Sequence, residues 1–106
     1  MVPVFKMMIL LKKKTEISDD EFARHWLETH APLAKKMPGL RRYVVNIVKR
    51  PPNREPDYSG VVELWFDDQA SMKKAFSSPE GWATQKDTAA FTSDLITMYI
   101  DEHTIT

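Results

Sequence analysis

The groups that can move or hold a proton near neutral pH are few in this chain: three histidines, three tyrosines and a handful of carboxylates set into apolar segments. His30 comes first among them. Phe22, Trp26, His30 and Leu33 recur at i, i+4, i+8 and i+11, which places His30 on the apolar face of a predicted helix. Histidine is the side chain whose ordinary pKa lies near neutrality, so His30 suits general acid/base work on a small carbon acid. The plainer alternative is a core histidine bonded to backbone groups that Pro32 sets free. His25 lies off the apolar stripe, four residues after Glu21, and is expected to pair with it on the surface. His103 falls near the chain end.

Tyr43 offers a phenol that can donate to a carbonyl or an oxyanion. Asn46 and Glu63 interrupt otherwise apolar strands. A carboxylate in that setting needs a partner or takes up a proton. Glu63 is therefore either paired with Arg41, Arg42 or Lys6, or placed to orient His30 or bind a substrate hydroxyl. Whether Asn46 and Glu63 share a sheet face is left open by the sequence. Trp26, Trp65, Phe22 and Phe91 can wall a site for a flat ligand or simply fill a core.

Several chemistries are excluded. With no cysteine there is no thiol nucleophile, disulfide, iron–sulfur cluster or thiolate zinc site. His25 and His30, five apart, would face different sides of an α-helix, which is wrong for a pair of metal ligands. Gly39, Gly60 and Gly81 are isolated, so no phosphate-cradling loop is expected. Fifteen Lys/Arg against fifteen Asp/Glu give no net field toward nucleic acid, and Lys12-Lys13-Lys14 and Arg41-Arg42 are short. No apolar run approaches the roughly 20 residues that span a bilayer. Lys6 cuts the first apolar run and no small-residue cleavage site follows, so a cytoplasmic protein without metal, nucleic-acid or membrane partners is expected.

The elements that must position these groups read clearly. A chain of 106 residues, 42% apolar and 28% charged, is one globular domain, residues 1–106. Strands are predicted at Val4–Lys13, Leu40–Arg50, Gly60–Phe66 and Asp94–Ile105. Ser18 and Glu21 form a capping box that starts a helix running to about Lys36, with a kink near His30–Ala31 imposed by Pro32. Met37-Pro38-Gly39 ends it. Gln69–Ser77 reads as a helix with Met72, Ala75 and Phe76 inward. Ser78-Pro79 caps another, which runs through Trp82 to Phe91. The order βαββαβ gives an α+β, ferredoxin-like fold on a four-stranded antiparallel sheet. The first strand is apolar on both parities, with Phe5, Met7, Ile9 and Leu11 against Val4, Met8 and Leu10. Helices cover one sheet face only, so the other is expected to meet a second subunit in a homodimer.

These residues also carry a resemblance. Phe22-x-x-His25-Trp26, His30-Ala31-Pro32-Leu33, Met37-Pro38-Gly39-Leu40-Arg41-Arg42-Tyr43 with Asn46, Tyr58 to Phe66, and Ser78-Pro79-Glu80-Gly81 resemble the EthD family from Met7 to His103. The resemblance implies a dimeric α+β barrel in which two ferredoxin-like sheets pack face to face. It implies a cofactor-independent enzyme on a small aromatic or lactone-type compound, an isomerase, dehydratase or cyclase. In lactone-isomerase relatives a histidine lies seven residues before the Met-Pro-Gly turn and a tyrosine six beyond it, here His30 and Tyr43. His30 is then the expected catalytic residue, with Tyr43, Asn46, Glu63, Trp26, Trp65, Phe22 and Phe91 around the substrate. The cysteine that those relatives use has no counterpart here. Alternatives within the resemblance are an accessory or carrier protein for a partner oxygenase, and an oxidoreductase that works cofactor-free or with haem.

Overall fold

The computed structural model describes residues 5–106. Val4, assigned above to the first strand, and the start of the leader reading lie outside them. β1 (Phe5–Lys13) leads into α1 (Asp19–His25), a π-helical turn (Trp26–His30) and α2 (Ala31–Ala34). β2 (Arg42–Ile47), β3 (Gly60–Phe66), α3 (Gln69–Ser77), α4 (Pro79–Phe91) and β4 (Thr92–Ile100) follow. The strands form one sheet in the order β2-β3-β1-β4, and every neighbouring pair is antiparallel. This is the ferredoxin-like arrangement that the element order implies.

Register divides the sheet into two chemically different faces. Tyr43, Leu64, Met7 and Tyr99 align across the four strands on the helix-covered face. One step along, Val44, Glu63, Met8 and Met98 align on the uncovered face. The core fills the covered side, with Phe22, Trp26, Phe66 and Phe91 fully buried among Met7, Leu11, Val62, Leu64 and Met72.

Local chemistry sets the element ends. The capping box is complete, with Glu21 N–H donating to Ser18 Oγ (3.1 Å) and Ser18 N–H to Glu21 Oε1 (3.1 Å). Gly39 closes the turn after α2 at φ +82°, a left-handed conformation that glycine adopts without a Cβ penalty. The kink foreseen at Pro32 is instead a π-helical turn. Proline has no N–H and its ring crowds the carbonyl four residues back, so the helix widens by one residue and Ala31 N–H reaches Trp26 O, five residues away. The helical stretch stops at Ala34 rather than Lys36, and Lys36 and Met37 close two tighter turns onto Leu33 and Ala34. β2 is shorter at both ends than its apolar run, although Arg41 and Val48 still donate across to Trp65 and Ser59. β4 begins at Thr92, two residues early, and ends at Ile100, opposite Lys6; residues 101–106 are exposed and carry no regular structure.

Ser78 ends α3 and starts α4 in one step. Its Oγ donates to Ala75 O (2.6 Å) and accepts from Gly81 N (3.0 Å). The corner is so tight that a side-chain carbon on Gly81 would fall 2.2 Å from Ala75 O and 2.6 Å from Phe76 O. Gly→Ala inside a helix ordinarily stabilises by about 1 kcal/mol. Here Gly81→Ala is expected to do the reverse, costing about 1–3 kcal/mol and lowering the melting temperature by several degrees in a circular-dichroism melt. An unchanged or higher melting temperature would show that the corner can relax.

Candidate functional site

Between the covered sheet face and the helices lies a cavity of about 550 Å³. That is within the range of small-ligand sites. Its floor is apolar, with Met7, Ile9, Leu11, Val62 and Leu64 from the sheet and Trp26, Met37, Met72 and Phe76 from the helices. Gln85, Ala89, Ser93, Asp94, Leu95 and Thr97 line it and are exposed, so the mouth lies between α4 and the edge strand β4.

His30 sits in this cavity wall, 5% exposed. Its Nδ1 lies 2.8 Å from Asp87 Oδ2 on α4. The same carboxylate meets a second imidazole, with His25 Nε2 at 2.9 Å from Oδ2 and 3.1 Å from Oδ1. The π-helical turn is what makes this possible. In an α-helix residues five apart point to different sides, whereas each turn of i→i+5 bonding takes up one more residue and brings them round together. The expectation that His25 and His30 face apart is thereby corrected, and so is the pairing of His25 with Glu21, whose carboxylate is committed to the capping box. Phe91 packs against both rings, with centroids 4.7 Å from His25 and 5.0 Å from His30.

The carboxylate only accepts, so His30 Nδ1–H donates to Asp87, which fixes the tautomer with its lone pair on Nε2. Nε2 has no hydrogen-bond partner among the described residues. No fully buried side-chain nitrogen or oxygen there lacks one, so this atom keeps some exposure, on a residue that lines the cavity. Burial pushes the His30 pKa below its ordinary value, Asp87 opposes that shift, and His25 adds slightly to it. His30 thus presents a neutral imidazole near neutral pH.

Tyr43 faces the same cavity from β2. Trp26 Nε1 donates to its hydroxyl (3.2 Å), and the phenol proton has no acceptor among the described residues. Burial raises the Tyr43 pKa, partly offset by the Trp26 bond, so the phenol remains a donor. Trp26 is seated by Gly60, where a side-chain carbon would lie 2.1 Å from Trp26 Cζ3.

The other sequence-derived candidates divide. Phe22 and Phe91 do not line the cavity; they form the buried layer behind Trp26 and His30, with Phe22 edge-on to Trp26 at 5.5 Å and Phe91 tilted to it at 6.2 Å. Asn46, Glu63 and Trp65 lie on the uncovered sheet face, because β3 turns Val62, Leu64 and Phe66 toward the helices and the alternate residues away. Glu63 therefore does not orient His30. Asn46 and Glu63 do share a face, joined by Asn46 Nδ2 to Glu63 Oε1 at 3.0 Å. Glu63 is paired with Lys6 (2.9 Å), whose ammonium also meets Glu102 (2.9 Å) and lies 4.6 Å from the Trp65 ring centre. The Lys6 and Asn46 bonds hold the Glu63 pKa below the usual carboxylate range. His103 is exposed beside Asp101. Asp87 was missed by sequence reasoning. Nothing local marks it, and its partners lie 57 and 62 residues away.

The family pattern of the EthD domain matches residues 14–94. The chain belongs to the EthD family. It is 31% identical over 85 residues to an uncharacterised 11.0 kDa protein of Rhodococcus erythropolis from the thcB–thcC intergenic region, covering 79% of this chain and 82% of that one. An EthD family protein of Bacillus halodurans superposes with a TM-score of 0.79 at 32% identity, over 93% of this chain and 99% of the other. SnoaB of Streptomyces nogalater, described as a cofactor-independent oxygenase, superposes at 0.68 with 13% identity over 98% and 97%, a likeness of fold. No helix among the described residues of this EthD protein is long and apolar enough to cross a membrane.

His30 supplies a pH signature. Its pKa is lower folded than unfolded, so just below the ordinary value of about 6.5 the unfolded chain binds more protons. Stability present above that value is lost as the pH falls toward the folded-state pKa. Thermal melts at about pH 7.5 and about pH 5 should therefore show a larger loss for the wild type than for His30→Gln. Equal losses would mean that His30 carries no such shift.

Proposed function

We propose that this EthD-family chain is a cofactor-independent enzyme that removes and returns a proton on carbon beside a carbonyl in a small, largely apolar ring compound. The observation that carries this reading is the His30 imidazole, buried and held by Asp87, with Nε2 open to an apolar cavity that also holds a free phenol proton on Tyr43. Nε2 takes the proton, the C–H electron pair becomes the new C=C bond, and the carbonyl oxygen takes the negative charge. Tyr43 donates a hydrogen bond to that oxygen, and Asp87 stabilises the imidazolium until the proton goes back. Return to a different carbon isomerises the ring. Delivery of the same proton to a hydroxyl on the β carbon lets that oxygen leave as water as the enolate electrons form the C=C bond, which dehydrates it. Trp26 flanks the ring, backed by Phe22 and Phe91.

A second reading, cofactor-free oxidation, is supported by the likeness of fold to SnoaB. It starts from the same deprotonation and adds dioxygen uptake, which an oxygen electrode separates from isomerisation.

We also infer that the uncovered sheet face packs on a second copy of the chain. Met8, Leu10, Val44, Val61, Ile96, Met98 and Ile100 line it, and Ile96 is 42% exposed. Light scattering is expected to give twice the chain mass, and Ile96→Lys to shift the protein toward monomer. A wild-type monomer would contradict this packing.

2-Tetralone tests the chemistry directly, because deuterium entry at its α carbons in D₂O is read by NMR without knowing the natural substrate. The wild type should accelerate exchange. His30→Gln should lower that acceleration by about 10²–10⁴-fold and Tyr43→Phe by about 10²-fold. Exchange unaffected by His30→Gln would overturn its role.

A further inference from the structure

One wall of the cavity offers hydrogen-bond acceptors and withholds donors. Thr84 and Thr88 on α4, and Thr92 where α4 passes into β4, recur at four-residue spacing and all line the cavity. Each hydroxyl spends its only proton on the carbonyl four residues back: Thr84 on Glu80 (2.8 Å), Thr88 on Thr84 (3.0 Å) and Thr92 on Thr88 (2.7 Å). A hydroxyl whose proton is committed has only lone pairs left for a ligand. Gln85 repeats the pattern, with Nε2 donating to Phe76 O (2.8 Å) and Gly81 O (3.1 Å), which leaves its amide oxygen free among the described residues. At the mouth Asp94 adds a carboxylate, again an acceptor.

Helix bonding alone does not account for this wall. Threonine is a poorer helix former than alanine, and Thr84 and Thr88 on one stripe weaken the helix they sit in. Thr84 and Thr92 are buried opposite an apolar floor, each hydroxyl bonded once to the backbone, so lone pairs are all they present to a ligand there. An independent sign of a ligand sits in the same cavity, in the unpartnered Nε2 of His30, itself 95% buried as a residue.

We infer that the α4 wall reads hydroxyl groups on the ligand, so that the compound taken here is a hydroxylated ring ketone, its carbonyl toward Tyr43 and its O–H toward Thr84, Thr88 and Thr92. This rests on the proton-transfer reading above and names the substrate class for it. An ether or a bare hydrocarbon of the same shape fills the cavity but leaves the wall unsatisfied.

Calorimetric titration with 6-hydroxy-2-tetralone and 6-methoxy-2-tetralone tests this, since the two share ring and ketone and differ in one donor. The wild type is expected to bind the hydroxy compound about threefold to tenfold more tightly, the difference one hydrogen bond makes. Thr84→Val with Thr88→Val, nearly isosteric, should abolish the preference and spare the methoxy compound, while Thr84→Ser with Thr88→Ser should keep it. Equal wild-type affinities, or a preference that survives the valine pair, would overturn the inference while leaving the cavity reading in place. Binding of neither compound would overturn both. The exchange assay with 2-tetralone, which carries no hydroxyl, reads His30 separately.

Discussion

Two imidazoles from one helical segment share one carboxylate from another, and most of the site follows from how the chain reaches that contact. Pro32 removes an N–H from the helix and forces the widened turn at Trp26–His30. The extra residue in that turn brings His25 and His30 to the same side, facing α4. Asp87 then fixes the His30 tautomer and leaves Nε2 to the cavity. Hydrogen bonds to a charged group are each worth about 1.5–3 kcal/mol, so the two imidazoles tie the widened turn to α4 through Asp87. The position of α4 is in turn fixed by the Ser78–Gly81 corner, where only a residue without a side chain fits. Pro32 on one helical segment, and Gly81 and Asp87 on another some fifty residues on, thus converge on one nitrogen lone pair.

The sheet separates this chemistry from a second polar system. On the covered face, Tyr43 and Trp26 hold the donor side of the cavity, and Gly60 makes room for the indole. On the uncovered face, Lys6 is nearly inaccessible yet charged, because Glu63 and Glu102 flank it and the Trp65 ring lies beside it. An ammonium taken out of water needs such compensation. That network also draws the C-terminal segment onto the sheet through Glu102. Glu63 is therefore a structural carboxylate, and the polar interruption it makes in β3 belongs to the architecture of that face rather than to the cavity.

Period-two alternation in β3 and the unbroken caps at Ser18 and Ser78 made the element order legible, and with it the fold, because these signals are local. His30 and Tyr43 were legible as candidates for the same reason, each being a polar group on a stripe that otherwise reads apolar. Parity also showed that Glu63 and Trp65 share a face of β3. Which face meets the helices was not legible, since β1 is apolar on both sides and offers no contrast. The widened turn was hidden because Pro32 announces a disturbed helix without saying whether the chain breaks, bends or gains a residue. Asp87 was hidden because a carboxylate on an amphipathic helix looks like any solvated residue until the fold brings the histidines to it. The threonine stripe had a visible spacing, but its meaning depends on where each proton goes, which only the three-dimensional hydrogen bonding decides.

The claim on which the rest stands is that His30 is a neutral imidazole protonated on Nδ1, with a bare Nε2 in the cavity. Long-range ¹H–¹⁵N correlation of the histidine rings, near pH 7, reads that state directly. The expected result is a His30 Nε2 resonance in the unprotonated range, with Nδ1 protonated and shifted by Asp87→Asn. A His30 ring protonated on Nε2, as the other tautomer or as the imidazolium, would contradict the assignment of a cavity base.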